Sequence, residues 1–308
     1  MFIFHILQQV ILPIVLLIAV GAILHRNFQF EMKTFSKLIL YFYLPALTFV
    51  KIYEAKATPG LLLQIFSFLI IHFVLLCIIG RFVSKLGKHN KKMTASFSNS
   101  IALTNNGNVG IPVNDLAFQH NPLAMSVQMI VVLFEIFITF TYGLVNASTA
   151  SIGLRKTALQ FFKMPIFYFF ILGLVFNMFH IQVPDFIWIP MNTVSNGMLA
   201  IALVSIGAQV ANVRFHRNTI TVMLSSIIRL LLSPLLALLI ISILQLNGIV
   251  AQALWIASAM PSSRNSAALA LEYDNEPEFA AQTVLLSTLC SSLTLTVVIY
   301  LAMSLFKA

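Results

Sequence analysis

Residues 98–112 read Ser98–Asn99–Ser100–Ile101–Ala102–Leu103–Thr104–Asn105–Asn106–Gly107–Asn108–Val109–Gly110–Ile111–Pro112. They lie inside the apolar run 93–118. Asn105, Asn106, Gly107, Asn108, Gly110 and Pro112 crowd into its centre. Glycine and proline weaken a helix, and asparagine side chains compete for backbone groups. Such backbone survives at membrane depth only when buried in protein or lining a wet cavity. A second stretch repeats the pattern: Ala257–Ser258–Ala259–Met260–Pro261–Ser262–Ser263–Arg264–Asn265–Ser266, inside the run 248–272. Both predict a helix broken near mid-membrane.

The membrane itself follows from composition. The chain has 308 residues, 59% hydrophobic and 9% charged, with a mean hydropathy of +0.95. Soluble domains carry about 25% charged residues, so a soluble enzyme, a nucleic-acid-binding domain and a disordered chain are excluded. The net charge of +9 sits in short segments between apolar runs, where membrane orientation places it. Cys77 and Cys290 fall inside apolar runs and read as small membrane-buried residues. The runs predict ten spans: 2–24, 34–53, 61–82, 93–118, 122–147, 164–181, 185–210, 218–245, 248–272 and 278–305. Loops after odd-numbered spans carry Arg26, Lys33, Lys37, Arg81, Lys85, Lys88, Lys91, Lys92, Arg155, Lys156, Lys163, Arg214 and Arg217. The other side carries Lys51, Lys56 and Lys307. That bias makes the odd loops cytoplasmic and puts both termini outside.

The prolines suggest a repeat. Pro13, Pro45 and Pro112 in the first half match Pro165, Pro190 and Pro261 in the second, at offsets of 152, 145 and 149. Gly21 follows Pro13 by eight residues, as Gly173 follows Pro165. Five spans per half is an odd number, so the halves, 1–147 and 164–308 around a linker 148–163, would be inserted in opposite senses. This is the inverted-repeat plan of secondary transporters, in which paired helix interruptions mark the transport site.

The chemistry of such a site is that of helix ends. A half-helix N-terminus offers free N–H groups and partial positive charge to an anion. Freed carbonyls at the opposite ends can hold a cation. The substrate site is therefore expected among Asn105, Asn106, Asn108, Ser262, Ser263, Arg264 and Asn265, with Gly107, Gly110, Pro112 and Pro261 forming the breaks. By the proline register, Asp115 and Arg264 are equivalent positions of opposite charge. Two arrangements fit: an ion pair across the crossing, or Arg264 on a substrate carboxylate with Asp115 serving a cation or proton. Glu135 and Arg229 lie near the centres of spans 5 and 8, as a structural pair or on an ion pathway. His72 reads as an interior histidine. Asp115 and Glu135 are the candidates for Na+ or H+ coupling. No phosphate-cradling motif, zinc spacing or nucleophile–base pattern is present, so neither a metal nor another cofactor is expected. An intramembrane enzyme using His72, Glu135 or Ser262, and a passive channel, remain the readings of other classes.

Asn105–Asn106–Gly107–Asn108–Val109–Gly110–Ile111–Pro112, with Met260–Pro261, Ala267, Ala270 and Tyr273, resembles the auxin efflux carrier family of bacterial permeases and plant PIN proteins. The resemblance implies an all-α membrane protein of ten transmembrane helices in two inverted five-helix repeats, with crossed broken helices 4 and 9, related to the bile-acid sodium symporters. It implies a scaffold from spans 1, 2, 6 and 7 and a transport domain from spans 3–5 and 8–10 moving as an elevator. It also implies a homodimer in the inner membrane of a bacterium. The implied cargo is a small organic anion such as malate or malonate. A larger amphipathic anion with sodium, or an auxin-like indole carboxylate, is the alternative. The short linker matches the bacterial permeases; the Ser262–Ser263–Arg264–Asn265 segment is a departure that favours a compact or doubly charged acid.

Overall fold

The computed structural model describes residues 7–54, 59–148, 162–211 and 220–306. The helices are α1 (Leu7–Phe28), α2 (Met32–Tyr53), α3 (Pro59–Leu86), α4 (Lys91–Ala102), α5 (106–117), α6 (Pro122–Ala147), α7 (Pro165–Met178), α8 (Asp185–Ala211), α9 (Ile220–Ile243), α10 (Gly248–Ser258), α11 (Arg264–Glu272) and α12 (Pro277–Leu305). Among the described residues, seven helices are long and apolar enough to cross a membrane: α1, α2, α3, α6, α8, α9 and α12. Expected span 6 is the shorter apolar α7. Expected span 4 is split into α4 and α5, and span 9 into α10 and α11. The linker 149–161, with Arg155 and Lys156, lies outside the described residues, as do Lys56, Arg214, Arg217 and Lys307.

Side-chain caps start three of these helices. The Asn90 side chain accepts from Met93 N at 2.8 Å, opening α4. Asn121 accepts from Leu123 N and Ala124 N at 2.9 and 3.2 Å ahead of α6, with Pro122 in its first turn. Ser263 accepts from Asn265 N at 3.2 Å, opening α11. Each satisfies orphan N–H groups at the helix start.

Proline acts here mostly by widening a helix rather than breaking it. Pro13, Pro45, Pro112 and Pro234 each stand two residues after a π-helical segment: Leu7–Ile11, Ile39–Tyr43, Asn106–Gly110 and Ile228–Leu232. A proline ring clashes with the carbonyl four residues back and cannot donate to it. A wider turn relieves both problems while the chain stays helical. The proline pairs that suggested the repeat therefore have unlike settings. Pro165 opens α7, Pro190 sits inside unbroken α8, and Pro261 lies in a non-helical break.

The glycines of that pattern do have like settings. A Cβ on Gly21 in α1 would lie 2.3 Å from Val204 O in α8, and one on Gly207 in α8 would lie 1.9 Å from Ile18 O in α1. A Cβ on Gly173 in α7 would lie 3.1 Å from Ile52 Cβ in α2. Thus α1 packs on α8 while α7 packs on α2, and α2 also packs on α8. The remaining helices pack chiefly among themselves: α3 on α4, α6 on α10, α9 and α11 on α12. Of an 18-residue window, 78% is buried in α6 and 22% in α1, so α6 is an interior helix and α1 a peripheral one. Lys92 in the first turn of α4 pairs with Asp274, just after α11, at 2.5 Å and holds that exposed carboxyl below the usual carboxylate range.

The α1–α8 contact is backbone on backbone, so no side chain can yield. Gly207→Ala should lower the melting temperature by about 5 °C or more, since overpacking costs about 1–3 kcal/mol. Gly60→Ala, whose Cβ would meet nothing within 4 Å, should leave it unchanged or raise it.

Candidate functional site

The two breaks meet as a two-residue antiparallel bridge between Thr104 and Ser262. Asn105 N–H donates to Pro261 O at 2.9 Å, and Ser263 N–H donates to Leu103 O at 2.9 Å. Extended backbone at Leu103 (φ −91°, ψ 121°) and Ser263 (φ −68°, ψ 139°) makes the bridge possible. Side chains lock it. Ser262 Oγ donates to Ser100 O at 2.7 Å, and Ser262 N–H donates to Ser287 Oγ at 3.2 Å. Asn106 Nδ2 donates to Thr104 Oγ1 at 2.8 Å and to Ala257 O at 3.3 Å. Gln128 Nε2 donates to Asn106 O and Oδ1 at 3.0 and 3.2 Å.

The bridge corrects the proline register. Pro261 stands one residue before Ser262, but Pro112 stands eight after Thr104. Counted from the bridge, Asn106 stands two residues after Thr104 as Arg264 stands two after Ser262, whereas Asp115 stands eleven after Thr104. Asp115 lies at the far end of α5 and meets His120 Nδ1 at 2.8 Å. Arg264 instead donates from Nη2 to Ser36 Oγ at 2.5 Å. Among the described residues no carboxylate lies within 4 Å of the Arg264 guanidinium. The ion-pair arrangement is therefore not the one adopted.

Glu135 and Arg229, expected either as a pair or on a pathway, sit at opposite kinds of helix end. Glu135 Oε2 accepts from Asn106 N–H at 2.8 Å, so this carboxylate fills the N-terminus of α5. Arg229 is fully buried and donates to Ile101 O near the end of α4 and to Ser258 O at the end of α10. No direct ion pair joins the two among the described residues. His72 faces the Ser233 carbonyl and hydroxyl at 3.2 and 3.1 Å, an interior histidine as read.

Four cavities surround the crossing. One of about 40 Å³ lies behind it, where His72, Thr104, Asn106, Glu135 and Ser258 meet. One of about 50 Å³ lies between α2 and α8 on one side and the crossing on the other, with Ser36, Asn108, Glu135, Ser205, Arg264 and Asn265 in its wall. Arg264 also borders a cavity of about 310 Å³ with Asn105, Gln209 and apolar residues of α11 and α12. Met198 joins the 50 Å³ cavity to one of about 270 Å³ holding Lys51, Asp115, His120 and Ser195. The last three thus succeed one another along α2 and α8.

The expected site residues therefore divide. Asn108, Arg264 and Asn265 face the small cavity, and Asn105 and Arg264 the larger one. Asn106, Ser262 and Ser263 spend their polar groups on the crossing and the α11 cap. Ser36, Ser205, Gln209 and Gln128 were not anticipated. Ser205 and Gln209, four apart on α8 and hydrogen-bonded at 3.1 Å, left a faint trace as a polar pair on one helical face.

The two break glycines also differ. A Cβ on Gly110 would lie 2.5 Å from Gln128 Nε2 and 2.8 Å from Asn106 Oδ1, whereas one on Gly107 would meet only Val132 Cγ1 at 3.9 Å. Gly110→Ala should displace the Asn106–Gln128 bonds and cut transport severely while the protein still folds. Gly107→Ala should fold and transport much as the unchanged protein does. Uptake by equal amounts of each variant, checked for monodispersity, measures the contrast.

A family model described as membrane transport protein, that of the auxin efflux carriers, matches residues 5–299. A comparison with curated proteins finds no match. With a match across nearly the whole chain, a multi-pass helical architecture and a polar crossing of two broken helices, the protein belongs to the membrane transport proteins of the auxin efflux carrier family.

Proposed function

We propose that the chain is a secondary carrier of small organic anions, malate- or malonate-like carboxylates, working by alternating access. The observation that carries this reading is Arg264. It is a guanidinium at the start of α11, set between two cavities and without a carboxylate partner among the described residues. A helix N-terminus adds partial positive charge at the same place. A guanidinium binds a carboxylate in two-pronged fashion, and Asn108, Asn265 and Ser36 surround it with orientable donors and acceptors.

The wider reading is the inverted-repeat elevator. Ten membrane passes, five per half, would carry the crossing past a scaffold of α1, α2, α7 and α8. The exchanged packing of α1 on α8 and α7 on α2 supports it, as do cavities strung along the α2–α8 face. We place both termini outside the inner membrane of a bacterium and assign a homodimer built through the scaffold. Glu135, at the wall of two cavities, is the coupling group we favour over Asp115. The partly apolar 310 Å³ cavity, near the low end of ligand-site volumes (roughly 300–1,000 Å³), favours one second reading: an amphipathic monocarboxylate with its body against Ile206, Ala267 and Leu285.

A thermal-shift screen of the purified protein separates the two, because a ligand that binds only the folded state raises its apparent stability. Dicarboxylates should shift the melting temperature at lower concentration than indole or other aromatic monocarboxylates; the reverse order favours the second reading. Arg264→Ala should raise the apparent Kd about 10- to 100-fold, the equivalent of about 1.5–3 kcal/mol for a charged hydrogen bond. An unchanged Kd removes Arg264 from the site. Glu135→Gln keeps an acceptor for Asn106 N–H but drops the charge. It should retain substrate exchange across proteoliposomes and lose gradient-driven accumulation.

A further inference from the structure

The C-terminal ends of α4 and α10 converge on a side chain that belongs to neither. Arg229 stands in the π-helical segment of α9 and is fully buried. Its Nη1 donates to Ile101 O at 2.9 Å. Its Nη2 donates to Ser233 Oγ at 2.6 Å and to Ser258 O. Ser233 Oγ donates to the same Ser258 carbonyl at 2.8 Å. The guanidinium therefore faces two carbonyls and a hydroxyl, with no carboxylate within 4 Å among the described residues.

The charges are complementary. Each helix C-terminus carries the equivalent of roughly −0.5 elementary charge, so two of them face one guanidinium, and the Glu135 carboxylate, beyond hydrogen-bonding reach, adds a longer-range attraction. The oxygen set matters as well. Backbone carbonyls and half-helix C-termini are the groups with which broken-helix carriers hold sodium, and hard cations take oxygen ligands of this kind. Here those oxygens already have their cation, delivered by a side chain from a third helix. We propose that Arg229 is the resident cation of the crossing. It is a tethered guanidinium in the seat between the two half-helix C-termini, and it makes the crossing independent of any alkali cation. The proposal concerns how the crossing is held, and it stands whichever anion is carried.

Three physical results follow. The seat of the unaltered protein should take no sodium. Truncating Arg229 should leave an empty seat lined by Ile101 O, Ser258 O and Ser233 Oγ, which a free small cation can enter. Substitutions should rank by charge rather than by bulk, because a neutral side chain of similar length fills the space but leaves Ile101 O unpaired, Ser258 O with Ser233 Oγ alone, and both helix ends without a cation.

The test is the melting temperature of the purified full-length protein, which needs no transported substrate and so stands apart from the carrier assignment. Equal ionic strengths of choline, sodium and potassium chloride are compared, each with and without about 10 mM guanidinium chloride. Sodium should add no stability through the seat: any rise specific to sodium in the unaltered protein should vanish in Glu135→Gln, and one that persists there overturns the proposal. Arg229→Ala should melt roughly 10 °C lower in choline, the scale expected when one partner of a buried charged set is removed. Guanidinium, and sodium in lesser measure, should recover part of that loss. A folded Arg229→Ala protein that no small cation stabilises above the choline control overturns the proposal, as does one that melts like the unaltered protein in choline. Where the alanine variant does not fold, Arg229→Lys and Arg229→Met carry the test. The lysine variant should be clearly the more stable, and a methionine variant of equal stability overturns the proposal.

Discussion

The structure depends on a pair of backbone hydrogen bonds. In a bilayer no water is available to an exposed N–H or C=O, and each unsatisfied group costs several kcal/mol. Two apolar helices that stop inside the protein create many such groups at once. Setting the stops side by side lets each satisfy the other: Asn105 N–H donates to Pro261 O, and Ser263 N–H donates to Leu103 O. Neither break could exist alone at this depth. The bridge also sets the order of dependence around it, since Asn106, Gln128, Ser262 and Ser287 all act to hold it.

Four helix ends meet at the bridge, and they are not treated alike. The C-termini of α4 and α10 are neutralised by Arg229, and the N-terminus of α5 by Glu135. The N-terminus of α11 has only its Ser263 cap and a positive side chain of its own, Arg264. Three ends are closed by the protein and the fourth keeps unspent positive charge. That asymmetry arises although the two breaks look alike in sequence. That positive charge lies on the face toward α2 and α8, where Ser36 and Ser205 supply polar atoms.

The break positions were legible in the sequence because they violate the rules of a lipid-facing helix. Asn105–Asn106–Gly107–Asn108 and Met260–Pro261–Ser262–Ser263 could not be ordinary spans. Their register was not legible. Proline spacing does not fix equivalence here, because Pro112 follows a widened turn inside α5, whereas Pro261 lies in a non-helical break. One residue type answers two backbone problems, so its spacing misplaced Asp115 opposite Arg264. The division of labour among the asparagines was hidden for a related reason. Asn106 and Asn108 have the same chemistry and lie two apart, so they point to different sides of a helix. Only the fold tells which side holds Gln128 and which holds the cavity. Ser36, Ser205 and Gln209 lie in apolar spans where single polar residues are common, and nothing local distinguishes them.

Arg229 sharpens what charge scarcity means in this chain. Among the described residues two arginines, Arg229 and Arg264, are withdrawn from the surface, and both cost free energy to bury. The structure gives them opposite accounts. Arg229 is enclosed by carbonyls and a hydroxyl on its two terminal nitrogens, and it ties α9 to the ends of α4 and α10. Arg264 has one serine partner and two cavities. A buried cation bonded through both terminal nitrogens is a fastener, because moving it would expose several polar groups at once. A cation with most of its donors turned toward open space gains by acquiring an anion. The same residue type thus holds the crossing at one position and leaves hydrogen-bonding capacity open at the other.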